Sequence, residues 1–366
     1  MDEKSGNNIL DALLKQASSE SATDLHLCPG SRPKARVNGQ LEDVPEVNGA
    51  PTEYIKPAQL GVIIDALLDE KKKKRLEADR VLDFSFSIPG LGRFRANIYS
   101  QRGTFAMAVR TLPFEIPKFH ELGLPPSIEE FAHKTKGLFL ATGATGSGKS
   151  TTLASMIDLI NENCNYHILT IEDPIEYLHK HKKSLVTQRE IGEDAESFAQ
   201  ALRSALREDP DVIMVGEMRD PETISIAMTA AETGHLVFST LHTMGAAKTI
   251  DRMVDAFDTS QQAQVRSQLA AVLEGVVSQQ LIPRKGGGGL VVASEVLFVN
   301  QATRTQIKEG NQSQINDTLQ TGKDQGMHIL EADLARLVKE GLIEEDDAFM
   351  RAPNEQTLRT YLRNRG

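Results

Sequence analysis

Residues 138–160 read Leu138-Phe-Leu-Ala-Thr142, then Gly143-Ala-Thr-Gly-Ser-Gly-Lys-Ser150, then Thr151-Thr-Leu-Ala-Ser-Met-Ile-Asp-Leu-Ile160. The middle segment fits GxxxxGK[ST] in full. An apolar run precedes it, and residues at helical spacing follow it: Leu153, Met156, Ile157 and Ile160. Strand, glycine loop and helix in that order bring successive backbone N–H groups to a helix N-terminus, where they converge on an anion. The expected cradle is Gly143, Ala144, Thr145, Gly146, Ser147, Gly148, Lys149, Ser150 and Thr151. Lys149 is expected to reach the β- and γ-phosphates of a nucleotide, and the Ser150 hydroxyl to bind Mg²⁺. A chance glycine-rich turn would need neither flank.

Outward from this loop, short apolar runs alternate with amphipathic helices. The runs are Leu138–Thr142, Ile168–Ile171, Val212–Val215 and Leu236–Thr240. The helical stretches include Phe198–Leu206 and Pro221–Thr233, the latter closed by Gly234. Such alternation predicts a parallel sheet carrying helices, an α/β domain over 137–300. Ligands of such sheets sit beyond the carboxyl ends of the strands. The glycine loop follows the first run, and Glu172-Asp173-Pro-Ile-Glu176 follows the second. Gly216-Glu217 follows the third and His242 the fourth, so one edge collects all four groups. Glu217 ends its strand in the manner of a Walker B acid, and a carboxylate there can polarise water or hold the water shell of Mg²⁺. The alternative for Glu217 is a helix-start acid beside Asp220-Pro221-Glu222. Glu172, Asp173 and Glu176 divide between positioning water or metal and capping a turn. His242 is expected to sense the γ-phosphate, whereas His235, at the other end of its strand, reads equally as structural. The run His179-Lys-His-Lys-Lys183 is expected to be a solvated loop.

The front of the chain, 1–112, differs in pattern. Ile9–Ala17 has helical spacing, Asp24–Leu27 alternates like a strand, and 35–41 suggests a hairpin around Asn38-Gly39. Gly61–Leu68 reads as a helix ending in the basic run Lys71–Arg75. Strand-like stretches follow at Leu82–Ile88, Phe94–Tyr99 and Phe105–Leu112, so this is a small α+β domain. Its Arg93, Arg95, Arg102 and Arg110 are either surface ion-pair partners or donors to a γ-phosphate. Residues 113–136, punctuated by prolines, are expected to lead in to the second domain. Beyond it, one long helix from Ser260 to about Gln280, a Gly286–Gly289 loop and a strand at Val291–Val299 are expected, then a helical region over 301–366.

The 366 residues carry a net charge of −10, which disfavours a surface made to neutralise phosphate backbones; no direct nucleic-acid partner is expected. The two cysteines, Cys28 and Cys164, exclude a four-cysteine zinc site. The charged start, Met1–Gly6, has no apolar core behind it, and no apolar run approaches the ~20 residues of a membrane span. A cytoplasmic protein is expected, meeting membranes through a partner.

Taken in order, these motifs resemble the secretion ATPase superfamily of type II secretion and type IV pili, most closely its pilus retraction (twitching motility) ATPases. The matching stretches are Ser21–Leu27, Gly92-Arg-Phe-Arg-Ala96, Gly143–Thr151, Thr170–Tyr177, Val186–Glu190, Asp209–Val212, Val215–Asp220 and Ala231–Thr243. The resemblance implies a hexameric ring of chains with a PAS-like N-terminal domain and a RecA-like C-terminal one, hydrolysing ATP with Mg²⁺. Its partner would be the inner-membrane platform protein at the pilus base. It implies that Glu217 is the catalytic glutamate, Glu176 the Asp-box carboxylate, and Arg95 and Arg110 the N-terminal arginines. Assembly and secretion members usually carry a longer N-terminal region and a tetracysteine motif, which favours retraction here. Where retraction enzymes carry Ala-Ile-Arg, this chain reads Gln301–Glu309, so an accessory retraction paralogue stays open; a type IV secretion or DNA-uptake motor is the rival of a related class. A RecA-like nucleic-acid translocase is the rival of another class.

Overall fold

In a computed structural model the described residues are 3–20, 22–37, 39–47, 50–112 and 115–364. The chain divides into two compact units, Met1–Glu115 and Ile116–Gly366. Ser21 and Asn38, named above in the motif and the hairpin turn, lie outside the described residues.

In the first unit, helix α1 (Glu3–Ser19) spaces Leu10, Leu13, Leu14 and Ala17 on one face, and all four are buried. Strands β1 (Asp24–Leu27), β2 (Lys34–Val37) and β3 (Gln40–Asp43) are followed by a two-stranded pair, β4 (Glu46–Val47) and β5 (Ala50–Pro51). After helices α2 (Pro57–Leu67) and α3 (Glu70–Asp79) come β6 (Val81–Ile88), β7 (Gly92–Gln101) and β8 (Thr104–Leu112). Six strands form one antiparallel sheet in the order β3-β2-β1-β8-β7-β6. Inward residues Leu25, Leu27, Ala96, Ile98, Met107 and Val109 share a core with α1 and α2. The helix expected to end in Lys71–Arg75 is in fact two. The Asp69 carboxylate accepts the Lys72 N–H at 2.8 Å and starts α3, so the basic run lies inside a separate helix.

The second unit holds β9 (Gly137–Thr142), α4 (Lys149–Asn163), β10 (His167–Glu172), β11 (Leu185–Glu190), α5 (Phe198–Ala205), β12 (Val212–Val215), α6 (Pro221–Glu232) and β13 (Leu236–Leu241). It continues with α7 (Ala246–Asp255), α8 (Thr259–Val272), β14 (Leu273–Pro283) and β15 (Leu290–Phe298). The last helices are α9 (Gln301–Glu309), α10 (Gln312–Thr321), α11 (Leu330–Lys339), α12 (Glu345–Arg351) and α13 (Glu355–Arg363). Seven strands run in the order β11-β10-β12-β13-β9-β14-β15, all parallel except the antiparallel edge strand β15. Alternate residues of each strand feed opposite layers, as strand geometry requires. Leu138, Leu140, Ile213 and Val215 pack under α5, α6, α7 and α8, while Phe139, Ala141, Val212 and Met214 pack under α4 and the 3₁₀ turns at Phe119–Glu121 and Pro126–His133.

One expectation for this unit changes, and one strand was not anticipated. The long helix to Gln280 stops at Val272, and Leu273–Pro283 is a strand alongside β9. Gly275 lets that strand pass beneath Phe131: a Cβ there would lie 2.1 Å from the ring. The strand β11 is also new, a mostly polar edge strand paired in parallel with β10.

Candidate nucleotide site

Because β9, β10, β12 and β13 are parallel, the loops after them open on one edge of the sheet. Gly143 begins the first loop with φ of 136°, and a Cβ there would stand 2.3 Å from the Gln279 carbonyl on β14. Only glycine lets the chain turn so close to the neighbouring strand. Gly148, at φ 92°, hands the chain to α4, whose N-terminus has no side-chain cap. Its first N–H groups therefore point at whatever occupies the loop.

Lys149 is 8% exposed, and its Nζ donates to the carbonyls of Gly143 and Ala144, each at 2.9 Å. Burial pulls its ammonium below the usual lysine range, and the charges of Glu176 and Glu217 work against that pull. The buried Ser147 Oγ has no hydrogen-bond partner among the described residues. An uncapped helix start, an orphaned hydroxyl and an ammonium holding only its own loop's carbonyls form an anion site that fits a phosphate chain. Ser150 is the second residue of α4, half-buried, while Thr151 Oγ1 lies 2.9 Å from the Tyr177 hydroxyl. Among the described residues no group of three or more His, Cys, Asp or Glu could hold a metal. A cation here would rest on Ser150, phosphate oxygens and water, a set that suits Mg²⁺, which keeps several waters.

The acids approach from the neighbouring loops. Glu217, its side chain 13% exposed, forms an ion pair with Arg219, whose Nε is 2.6 Å from Oε2, and His242 Nε2 lies 3.4 Å from the same oxygen. Thr240 Oγ1 donates to the Gly216 carbonyl at 2.6 Å and Met218 N to the Thr240 carbonyl at 3.3 Å, which fixes the turn carrying Glu217. Glu172 is buried at the end of β10 and receives Thr170 Oγ1 at 2.7 Å, Gln188 Nε2 at 3.1 Å and the backbone N–H of Glu176. Burial outweighs those three donors and raises its carboxyl to about 7. Glu190 holds the next turn by accepting Ile175 N at 3.1 Å, and Gln188 also donates to the Tyr177 carbonyl.

The structure thus gathers Lys149, Glu176, Glu217 and His242 along one edge, with Glu172 one layer in, engaged with Thr170 and Gln188. His235 sits at the opposite end of β13, its Nδ1 2.9 Å from the Ala230 carbonyl. The His179–Lys183 run is less solvated than expected. Lys182 pairs with Asp158 and Glu162 of α4, Asn161 of α4 donates to the Lys180 carbonyl, and burial lowers the His179 ring to about 4. In the first unit Arg95 and Arg110 are cross-strand neighbours; Arg95 forms a bidentate pair with Asp83, and Arg110 Nε lies 2.8 Å from Asp24. Sequence reasoning assigned nothing to Arg219, Gln188 or Gln279. The motif stretches around the first two were a signal, while Gln279 stood in the segment expected to be helical.

A parallel sheet whose strand ends carry a glycine-lined anion loop and converging acids defines a RecA-like P-loop nucleotide-binding protein. The chain belongs to the Type II/IV secretion system protein family, which it matches over residues 2–364. It is 47% identical over 340 residues to the type IV pilus retraction ATPase PilT of Pseudomonas aeruginosa, covering 93% of this chain and 97% of that one. It is 46% identical over 328 residues to the twitching motility protein of Neisseria gonorrhoeae, covering 89% and 86%. A crystal structure of the pilus retraction motor PilT with bound ADP superposes with a TM-score of 0.88 at 47% identity, over 97% of this chain and 98% of that one.

Proposed function

We infer that the chain is an ATP-hydrolysing motor that powers retraction of a type IV pilus, working as a homo-hexamer against an inner-membrane platform protein. The observation that carries this reading is the meeting of Lys149 with the Glu176 and Glu217 charges at the rim of the phosphate loop, in a chain nearly half identical to a retraction ATPase along almost its whole length.

In this reading ATP enters by exchange. Lys149 leaves the carbonyls of Gly143 and Ala144 for the β- and γ-phosphate oxygens, and the N–H groups of 144–151 close around the chain. Ser150 would hold Mg²⁺, which screens charge on the phosphate oxygens and holds them in line. Glu217 accepts the proton of the water that attacks the γ-phosphorus, and the P–O bond to ADP breaks on the far side. His242, on the same carboxylate oxygen, donates toward the γ-phosphate and holds Glu217 in place. Glu176 orders water at the rim, and Glu172 positions Glu176 through its backbone N–H. By the family resemblance, Arg95 and Arg110 would supply guanidinium charge to a transferring group; in this structure Arg95 pairs with Asp83, and Arg110 with Asp24, whose side chain is 14% exposed. No helix of the described residues is long and apolar enough to cross a membrane, so coupling to a membrane machine would go through a partner.

Deleting the gene and imaging surface pili tests the proposal at the level of the cell. Excess pili with lost twitching are expected. Bald cells would assign the chain to assembly instead, and unchanged pili would overturn the reading.

A further inference from the structure

The loop that carries His242 is gripped from outside the nucleotide-binding motifs. Ser278 on β14 and Glu295 on β15 face each other directly across the hairpin. Ser278 Oγ accepts the Gly245 N–H at 2.9 Å, and Glu295 Oε1 accepts the next one, Ala246 N–H, at 2.7 Å. Gly245 and Ala246 lie three and four residues beyond His242, at the start of α7. Gly245 has φ of 91°, a backbone conformation that favours glycine, and a Cβ there would meet Glu295 Oε1 at 3.5 Å, an ordinary contact distance. Thr243 Oγ1 lies 2.6 Å from Thr249 Oγ1, which folds the intervening residues back onto α7. The grip is itself held in place. The Glu295 carboxyl also receives the backbone N–H of Leu330 at the start of α11, and Ser294 N donates to Asp333 of that helix at 2.8 Å. On the other strand, Ser278 pairs with Thr142 at the end of β9, and Gln279 donates to Thr152 of α4 at 2.9 Å.

We propose that Glu295, with Ser278 opposite it, is the positioning residue of the His242 loop: together they fix the backbone two consecutive amides at a time and so set where His242 stands against Glu217. A buried carboxylate on a helix start is an ordinary stabilising contact. What distinguishes this one is its address, within one short turn of the residue that shares Oε2 of the proposed base. Among the described residues neither side chain hydrogen-bonds to the loop that would bind phosphate, so nucleotide affinity and turnover separate when the grip is loosened.

The inference rests on His242 acting in turnover, and the test keeps the two apart. The full chain is assayed for steady-state ATP hydrolysis and for binding of a fluorescent ADP analogue, in S278A, E295Q, H242A and the H242A/E295Q pair. S278A and E295Q are each expected to lower kcat roughly 10- to 100-fold, the cost of an ångström-scale misplacement, with ADP affinity and KM within about twofold of wild type. H242A in the E295Q background is expected to add little, because the two act as one unit. Wild-type kcat in S278A and E295Q beside a lowered kcat in H242A would overturn the proposal. So would losses that add in the double variant, or a matched fall in ADP affinity. Wild-type kcat in H242A would instead overturn the reading beneath it. S278A leaves the buried carboxyl intact, so a poorly folding E295Q does not remove the test.

Discussion

Glu172 shows how one residue's surroundings decide its chemistry. Three donors converge on its carboxyl, yet full burial dominates and lifts it from the ordinary 4.5 to about 7. The folded state holds this proton more tightly than the unfolded state, so its contribution to stability is complete below pH 4.5. It is lost as pH rises through 7, by on the order of 3 kcal/mol. Glu172→Gln, which cannot ionise, is expected to flatten the dependence of Tm on pH between 4.5 and 7. An unchanged slope in thermal melts would show that the carboxyl is not the titrating group. The candidate site was legible in the sequence largely because Lys149, Glu172, Glu176, Glu217 and His242 each stand where an apolar run stops. Gln188, Ser278 and Glu295 were not, since each gains its meaning from a distant segment that the folded sheet brings to it, whereas Arg219 stands only two residues from its partner Glu217.

At the scale of elements, β14 is the instructive case. Leu273, Val276, Val277 and Leu281 fall at helical spacing directly after a helix, so periodicity continues through a boundary that the fold imposes. A largely buried strand shows no alternation to contradict this. Gly275 was the residue that spoke otherwise, because a helix has no use for it and a strand beneath an aromatic ring does. Its missing Cβ leaves room for Phe131, which stacks on Phe298 with centroids 4.6 Å apart. Gly275→Ala is expected to cost about 1–3 kcal/mol through overpacking, read as a lower midpoint in urea. A midpoint equal to wild type would mean that the ring moves aside freely. The strand β11 escaped notice for another reason: only Leu185 and Val186 of its six residues are apolar, and an edge strand needs no more.

At the scale of the molecule, the broad architecture was readable from the order of motifs: an α+β front, then alternating strands and helices behind a phosphate loop. Proline spacing, glycine loops and apolar runs are local signals, and this fold is built largely from local βα steps. What the sequence did not convey was how β14 and β15 extend the sheet past β9 and bring the chain after residue 273 back to the nucleotide edge. That return matters for a motor, since it ties the His242 loop and the C-terminal helices to one hairpin. The account as a whole depends on Glu217 serving as the base while Lys149 holds phosphate. The direct test is to measure ADP binding and steady-state ATP hydrolysis of the purified chain carrying Glu217→Gln. Binding within about twofold of wild type and hydrolysis lowered roughly 10²- to 10⁴-fold are expected; hydrolysis near the wild-type rate would contradict the account.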